Sequence, residues 1–484
     1  MKIRLVTACI AAALAGCTVG PNYVRPTVDT PAAWRIDYPK AAEVANLQWW
    51  QQFNDPVLDQ LIDTALRNNR DLVIAAARVD QFIGALTTTG SQLYPQIGYG
   101  ADASRARASA VGQPPLPPGA NPYFSLYNVS LGASWQADLF GRVRRQTEAA
   151  QAQVYASEQG QRGVVLTVVA GVATSYIVLR SLDRQLEIAK ATARNFERTL
   201  KIFERRFSAG LVANTEVTQV RSQLQQALAA IPAFEQAIAA QENLISILLG
   251  SNPGPIPRGK TIDQLAAPEI PGDLPATLLQ RRPDILQAEQ NLIAANASIG
   301  AARALYYPDL SLNAALATTS TVASNLFSGP AAAGLIGASL VGPIFTFGAI
   351  EGQVFSAEAG QRQALAFYQR TVLNALRETN DALTGSQKKL EESNMQRERV
   401  IALREFARLA NRRFDQGVVG YLEVLIAENE LFAAEIANVG LQASRYAQIV
   451  NVYQAMGGGW VDVANKLAPK PLGRVAAQAT KPTP

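Results

Sequence analysis

Histidine is absent from all 484 residues of the chain, and cysteine occurs only twice, as Cys9 and Cys17. Without imidazole, and without a set of thiolates, the chain cannot build the common zinc sites or a histidine-dependent catalytic triad. No glycine-rich phosphate loop stands at a strand-to-helix turn either. We therefore expect no metal or organic cofactor, and an exported enzyme is the least favoured class of protein.

The chain also contains few charged residues. Asp, Glu, Lys and Arg make up 17% of the residues, and the formal net charge is only +5. A nucleic-acid surface needs basic residues clustered on one face, so we expect no nucleic-acid partner. Long hydrophobic runs are missing too. Beyond the N-terminus, no window is apolar enough to predict a transmembrane helix.

The N-terminus has the layout of a bacterial export signal. Basic residues precede an apolar run over residues 5–15, which is shorter than the roughly 20 residues that span a bilayer. The run ends in Leu-Ala-Gly-Cys, the pattern of a lipobox, so residues 1–16 are predicted to be removed and Cys17 to be acylated. An ordinary signal peptide with an incidental cysteine is the alternative. Thr18 stands where an aspartate would retain a lipoprotein in the inner membrane, which favours the outer membrane.

One block of the sequence is present twice. The pairs at an offset of 213 are Leu66/Leu279, Asp71/Asp284, Leu72/Ile285, Ala75/Ala288, Tyr94/Tyr307, Pro95/Pro308 and Ile97/Leu310. The pairs at an offset of 207 include Arg205/Arg412, Arg206/Arg413, Phe207/Phe414, Gly210/Gly417, Glu216/Glu423 and Leu224/Leu431. A repeat this long indicates two copies of one large module rather than a solenoid. The length change falls between Ile97 and Phe140.

Two segments of the first copy alternate between apolar and polar residues, which is the period of a β-strand. Residues 96–109 and 123–139 are predicted to form one hairpin, and the second copy repeats it within residues 308–345. A soluble sandwich would also explain such strands. Aromatic residues near the strand ends and a small, polar opposite face favour a membrane barrel instead.

Four strands cannot close a barrel. A barrel in lipid must close, because an open sheet edge leaves backbone groups unpaired. About eight strands is the minimum for closure. Several chains must therefore share one barrel, and the strand count permits a dimer, a trimer or a tetramer.

The remaining segments have helical periods. A short helix is predicted over residues 71–93. The proline-free run 142–207 and the return segment 215–248 both carry apolar residues at alternating spacings of three and four, which predicts an antiparallel coiled coil. The longer helix would measure about 100 Å, and Pro232 is predicted to kink the return helix. With the matching hairpin 349–456, each chain supplies four helical columns.

Together these features resemble the TolC-like outer membrane efflux proteins, in the lipoprotein branch of OprM and the NodT group. The motifs that carry the resemblance cover nearly the whole chain in one order: Cys17-Thr18-Val19-Gly20-Pro21-Asn22-Tyr23, Trp49-Trp50, Asp55-Pro56, Asp138-Leu139-Phe140-Gly141, Arg281-Arg282-Pro283-Asp284, Gly342-Pro343-Ile344-Phe345 and Gly457-Gly458-Gly459-Trp460.

The resemblance implies a mainly α-helical fold with a membrane β-barrel portion. A homotrimer would share a 12-stranded barrel, four strands from each protomer, above an internally duplicated coiled-coil tunnel. It also implies a passive exit duct for drugs or other small molecules, which an inner-membrane RND-type pump delivers through a periplasmic adaptor. The predicted division is 1–16 signal peptide, 17–70 lipid-anchored and equatorial segment, 71–250 first repeat, 251–275 equatorial linker, 276–456 second repeat, and 457–484 C-terminal equatorial segment and tail.

In this family the tips of the helical hairpins are where the adaptor docks and where the closed tunnel opens. By position, the adaptor-docking residues are Gly210, Leu211, Val212, Thr215, Glu216, Gly417, Val418 and Val419. The residues implied for the periplasmic gate are Asp415, Tyr421, Leu422, Glu423 and Ile426.

One position departs from the family pattern. Relatives commonly carry an aspartate one helical turn beyond the leucine that corresponds to Leu422, where this chain has Ile426. An apolar ring of Leu422 and Ile426 that gates by dewetting is therefore a hypothesis that competes with a charged constriction from Asp415 or Glu423. The remaining alternative is that Ile426 only faces its coiled-coil partner.

Two other functions stay open at this point. A type I protein-secretion duct would share the architecture, because the duct itself selects little. A non-conducting coiled-coil lipoprotein would explain the heptads and Cys17, but not amphipathic strands at matching places in both copies. The cargo cannot be deduced from the chain, although three methionines and no histidine weaken a metal cargo. The tail 468–484 is predicted to be disordered.

Overall fold

The computed structural model describes residues 18–28, 30, 31, 34, 48–109, 117, 119–270 and 278–473. The predicted signal segment 1–16, the acylation site Cys17 and the tail beyond residue 473 lie outside these residues. The first copy consists of α1 (Pro56–Asn68), α2 (Arg70–Ser91), β1 (Gln96–Arg107), β2 (Tyr123–Ala137), α3 (Arg142–Ser208) and α4 (Asn214–Leu248). The second consists of α5 (Leu278–Arg281), α6 (Pro283–Arg303), β3 (Asp309–Ser320), β4 (Ala332–Val341), α7 (Ala349–Asp415) and α8 (Tyr421–Met456), and α9 (Trp460–Asn465) follows.

The two copies share local geometry as well as sequence. Helices α3 and α7 are each 67 residues long, and each follows a glycine in the left-handed region. Gln241 donates its side-chain amide to the backbone carbonyl of Ser175, at 2.9 Å. At an offset of 207, Gln448 donates to the carbonyl of Ala382 at 3.2 Å. The same bond thus ties the return helix to the long helix in both copies.

The helices form columns of two kinds. The long helices α3 and α7 run the full height. In the half next to the strands, neighbouring columns pack in the order α2, α3, α6, α7. In the half next to the hairpin tips, the order is α4, α3, α8, α7. Helix α2 therefore continues the column of α4, and α6 continues that of α8.

Helix α4 meets α2 end to end, and α8 meets α6 in the same way. Equivalent positions join the helices at these two junctions, but the side chains differ. Asn69 donates to the carbonyl of Leu248 at 2.8 Å and caps the start of α2. At an offset of 213, Arg282 donates to the carbonyl of Ala455 at 2.7 Å and pairs with Glu378. Either side chain satisfies a helix-end carbonyl that has no partner within its own helix.

The strands form one antiparallel sheet in the order β1-β2-β3-β4. Its register places Ile97, Ala133, Ala314 and Ile336 in one row across the four strands. Leu131 is 51% exposed and Ile336 is 90% exposed, and no second sheet covers them in the described part of the chain. The soluble sandwich is therefore wrong, and the predicted apolar face is continuous and bare.

The length change between the copies lies at the far end of the hairpins. The equivalent pairs Arg105–Ser125 and Thr318–Ala332 enclose about 19 and 13 residues, respectively, so the first copy has the longer connection. Both hairpins still start from matching residues, Gln96 and Asp309, so the helices on either side of the sheet keep their register.

A belt of aromatic residues packs against the middle of α3. Trp49 stacks on Tyr453 with ring centroids 5.1 Å apart, and Trp460 meets Trp49 edge to face at 5.9 Å. Segments from both ends of the chain therefore meet in one core. Beside it lies α1, a helix that the sequence analysis did not separate from segment 17–70. It starts at Pro56, and Asp55 caps it by accepting from the amide of Val57 at 3.0 Å.

The sequence analysis predicts no apolar window beyond the N-terminus that could span a membrane as a helix. By length and composition, that prediction is wrong. Helix α3 contains an 18-residue window of mean hydropathy 1.8, of which 61% is buried inside the protein. Val165, Val169 and Ile177 belong to the core beneath the aromatic belt. Packing against the belt explains why this stretch of α3 is so apolar.

Replacing Arg282 by Met should destabilise the junction between α8 and α6. The change removes the shorter of the two hydrogen bonds to the Ala455 carbonyl and leaves it only the Thr379 hydroxyl at 3.3 Å. It also removes one ion pair each from Asp284 and Glu378, at an expected cost of about 1–3 kcal/mol. Thermal unfolding followed by circular dichroism measures the effect. Lys388→Met, which breaks an exposed ion pair with Glu391 on α7 away from the junction, is the control and should cost below about 1 kcal/mol. Equal losses would show that the junction is not special.

Candidate functional site at the hairpin tips

Both helical hairpins turn in the same way. Gly210 has a φ of 73° and Gly417 a φ of 71°, values that favour glycine. The next amide closes each turn: Leu211 donates to the carbonyl of Arg206 at 2.8 Å, and Val418 donates to that of Arg413 at 2.9 Å. The long helices therefore end in a glycine cap, which fixes the direction of the return helix.

An aromatic cluster joins the two tips to each other. Phe203 of the first hairpin stacks on Phe414 of the second, with centroids 6.1 Å apart, and lies 4.3 Å from the ring of Tyr421. The guanidinium of Arg206 covers Phe414 at 5.6 Å, within cation–π distance. Tyr421 is only 5% exposed, and burial raises its pKa to about 12. The tips of one protomer thus form a single packed unit.

The tips differ in how they use matching glutamates. Glu216 accepts from the amide of Ala213 at 3.2 Å and so caps the start of α4. Its counterpart Glu423 instead pairs with Arg413, at 2.6 Å. Arg206, the counterpart of Arg413, is left to lie over Phe414. One tip therefore carries a surface ion pair where the other carries a backbone cap.

The structure places the proposed tip residues at three depths. The exposed residues are Gly210, Leu211, Thr215, Asp415, Gly417, Val418, Leu422 and Ile426. The partly exposed ones are Val212, Glu216, Val419 and Glu423. Tyr421 alone among them is buried, because it packs between the hairpins.

The two residues of the hypothetical apolar gate lie one turn apart on the surface of α8. Leu422 is 54% exposed and Ile426 is 46% exposed. Their neighbours Val424 and Leu425 are buried in the tip cluster. Ile426 is therefore not packed into the seam of the coiled coil, and its side chain is available to line an aperture.

The aromatic link between the tips did not follow from the sequence. The alternating spacing of three and four within the run 142–207 includes Phe203 and so predicts that it packs within its own hairpin, whereas Phe414 is identified only as the repeat partner of Phe207. In the structure Phe414 joins the cluster while Phe207 is exposed. The concentration of aromatic residues near both tips is the feature of the sequence that could have predicted this contact.

Replacing Ile426 by Asp tests the apolar gate. A carboxylate at this level should keep the aperture wetted, so single-channel conductance and cation preference should both rise. Planar-bilayer recordings of the purified oligomer measure both quantities. Glu430→Asp, also exposed on α8 but two turns from Leu422, is a control that keeps its charge. Unchanged conductance and selectivity in Ile426→Asp would rule out the gate.

Known proteins resemble this chain over nearly its full length. The sequence pattern of the outer membrane efflux protein family matches residues 61–251 and 274–458. The probable efflux pump outer membrane protein TtgC of Pseudomonas putida is 33% identical over 470 residues, or 95% of this chain and 96% of that protein. The cation efflux system protein CusC of Escherichia coli is 32% identical over 464 residues, or 94% and 99%.

A solved structure agrees with the fold. The open state of the MtrE outer membrane channel of Neisseria gonorrhoeae superposes with a TM-score of 0.83 at 28% identity, over 92% of this chain and 99% of that one. The two matched segments of the family pattern each contain one helix–hairpin–helix copy. The chain therefore belongs to the outer membrane efflux protein family, as an outer membrane channel with TolC-like helical hairpins that extend into the periplasm.

Proposed function

We propose that the protein is a homotrimeric, passive exit duct that carries small organic molecules across the outer membrane. The observation that carries the proposal is the sheet. It has a continuous bare apolar face, and its outer strands β1 and β4 each have one edge without a partner among the described residues. In lipid such edges must be paired.

Pairing between protomers satisfies both edges at once. With four antiparallel strands, β1 and β4 run in opposite directions. The β4 of one protomer can therefore pair antiparallel with the β1 of the next, and three protomers close a 12-stranded barrel. The strand count alone also permits two or four copies. Membership of the TolC-like family supports three.

The edge columns support the same assembly. Helix α7, at one edge, exposes Phe355, Phe367 and Leu373. Helix α4, at the other edge, exposes Leu244 and Ile247. Exposed apolar side chains concentrated on two opposite edges favour contacts between neighbouring copies, which would extend the protomer wall into a closed tunnel.

The tips are suited to docking a periplasmic adaptor. Each presents an apolar side chain, Leu211 or Val418, directly after its glycine turn. Each also presents an exposed arginine at a matching position, Arg205 or Arg412. A trimer would offer six such elements in a ring. An inner-membrane pump of the RND type would deliver the cargo through that adaptor.

A lipid anchor on Cys17 fits the course of the N-terminal segment. Thr18 packs against Gly141, where an added Cβ would lie 2.9 Å from the threonine side chain. The amide of Val19 donates to the carbonyl of Phe140 at 3.2 Å. Both contacts lie just beyond the end of β2, at the boundary between sheet and helices. An acyl chain on the preceding residue would enter the adjacent leaflet directly.

A buried arginine holds this segment in place. Arg145 donates to the side chain of Asn22 at 2.8 Å and to the carbonyl of Val19 at 3.3 Å. Farther along, Asn296 donates to the carbonyl of Pro21 at 3.0 Å. The segment is therefore fixed along α3 and α6 rather than free to reach the membrane at another level.

Acylation is expected at Cys17 and not at Cys9. Cells that express the protein are grown with an alkyne-labelled fatty acid, and the purified chain is tested for the label. Cys9→Ala, the matched control in the signal segment, should stay labelled, whereas Cys17→Ala should lose the label completely. A labelled Cys17→Ala protein would contradict the lipobox assignment.

The cargo is proposed to be organic rather than a metal ion. The related TtgC is described as an efflux pump protein, and CusC as part of a cation efflux system. In this chain histidine is absent, and the described residues contain no cluster of three metal-ligating side chains. The inner-membrane pump, rather than the duct, would make the final selection.

Without the gene, the lowest concentration at which each of several unrelated small compounds stops growth should fall by about fourfold or more. The wild-type gene should restore the original values.

The purified trimer should conduct ions in planar bilayers, because water fills the barrel. A protein that conducts, but whose loss impairs only protein export, would be a secretion duct. A protein that does not conduct would be the structural lipoprotein.

A further inference from the structure

The helical wall carries a recess beside the core that packs beneath the aromatic belt, and Leu166 and Val168 belong to both. On α3, the residues that pack beneath the aromatic belt include Val165, Val169 and Val172. The residues that line the recess include Gly163 and Thr167, on the opposite side of the helix. In the proposed tunnel, with the belt on the outside, these residues would face the duct.

The size and lining of the recess match a small-molecule site. Its volume is about 940 Å³, within the range of ligand pockets. Ile74 and Ala75 of α2 and Val164 of α3 give it an apolar floor. Helices α6, α7 and α8 complete the walls, so the site belongs to one protomer.

Two charged side chains frame the apolar floor. Asp71 and Arg78 lie seven residues apart on α2, on the same face as Ile74, and therefore about 10 Å apart along the helix. Within the described residues, neither forms a hydrogen bond or an ion pair through its side chain. They can therefore interact with a single solute that carries one positive and one negative charge at that spacing.

The other charges of the recess are already paired. Arg282 binds Asp284 and Glu378, both at 2.7 Å. Arg377 binds Asp381 at 3.1 Å. These pairs neutralise the rim, so the charge pattern that a solute meets is set by Asp71 and Arg78.

We propose that this recess is a transit site for amphipathic zwitterions: an apolar body packs on Ile74 and Val164, its cationic group faces Asp71 and its anionic group faces Arg78. The inference deepens the proposed efflux function, because it assigns a class of cargo to the duct itself. Affinity must be weak for a transit site, since a solute that binds tightly would block the exit.

Gly163 provides a way to fill the recess without disturbing the fold. A Cβ added there meets no atom within 4 Å, so a larger side chain would extend into the empty space. Leucine also has a higher helix propensity than glycine. Gly352 of α7 is the matched control, because it too has open space around its Cβ position and lies outside the recess.

The probe is norfloxacin, a fluorescent zwitterion with an aromatic body, titrated with the purified trimer in detergent and followed by fluorescence anisotropy. Gly163→Leu should weaken binding at least fivefold, and Gly352→Leu should leave it unchanged. Asp71→Asn combined with Arg78→Gln should weaken binding about fivefold without filling the space. A change below twofold in both recess variants, or an equal loss in the control, would overturn the proposal.

The binding assay separates this site from the function of the duct. It needs no pump, adaptor or cell. Wild-type binding that depends on Gly163 would support the site even if deletion of the gene left drug susceptibility unchanged, a result that would refute only the efflux function. Normal rescue of susceptibility by a wild-type trimer that shows no binding would refute only the site.

Discussion

An unpaired amide or carbonyl costs several kcal/mol in hydrocarbon, and the four-stranded sheet of this protein ends in two edges full of them. That single constraint decides much of the architecture. The described helices all meet the strands at the same end of the sheet and do not cover its edges. Other copies can pair with both edges, so the barrel, the tunnel beneath it and the ring of tips depend on strand pairing between protomers.

Duplication makes this arrangement geometrically possible. Two copies give an even number of strands per chain, so identical protomers can follow one another in a closed antiparallel sheet. The helices then have to keep a common height. They do so through equivalent junctions at Asn69 and Arg282, where different side chains satisfy the same type of helix-end carbonyl. The length change lies instead in the connection at the far end of the first hairpin, where extra residues do not displace the helices.

Elements with a strong period could be predicted from the sequence nearly to the residue. The strand expected over 96–109 spans Gln96–Arg107, and the helix expected over 142–207 spans Arg142–Ser208. Features that depend on which elements meet could not. The apolar stretch of α3 is explained only by the aromatic belt beside it, and the burial of Tyr421 only by how the two hairpins pack. The recess gave no signal, since its lining comes from five helices that are far apart in the chain.

The packing between the tips also limits how the aperture can open. Phe203, Phe414 and Tyr421 are in mutual contact, and two of them are almost fully buried. Parting the two hairpins of one protomer would expose these rings to water, at roughly 1.5–3 kcal/mol for each large side chain. Moving both hairpins together, against the neighbouring protomers, would leave the cluster intact. Because the cluster is held mainly by apolar contact, salt would screen the exposed Arg413–Glu423 pair but would not loosen the unit that has to move.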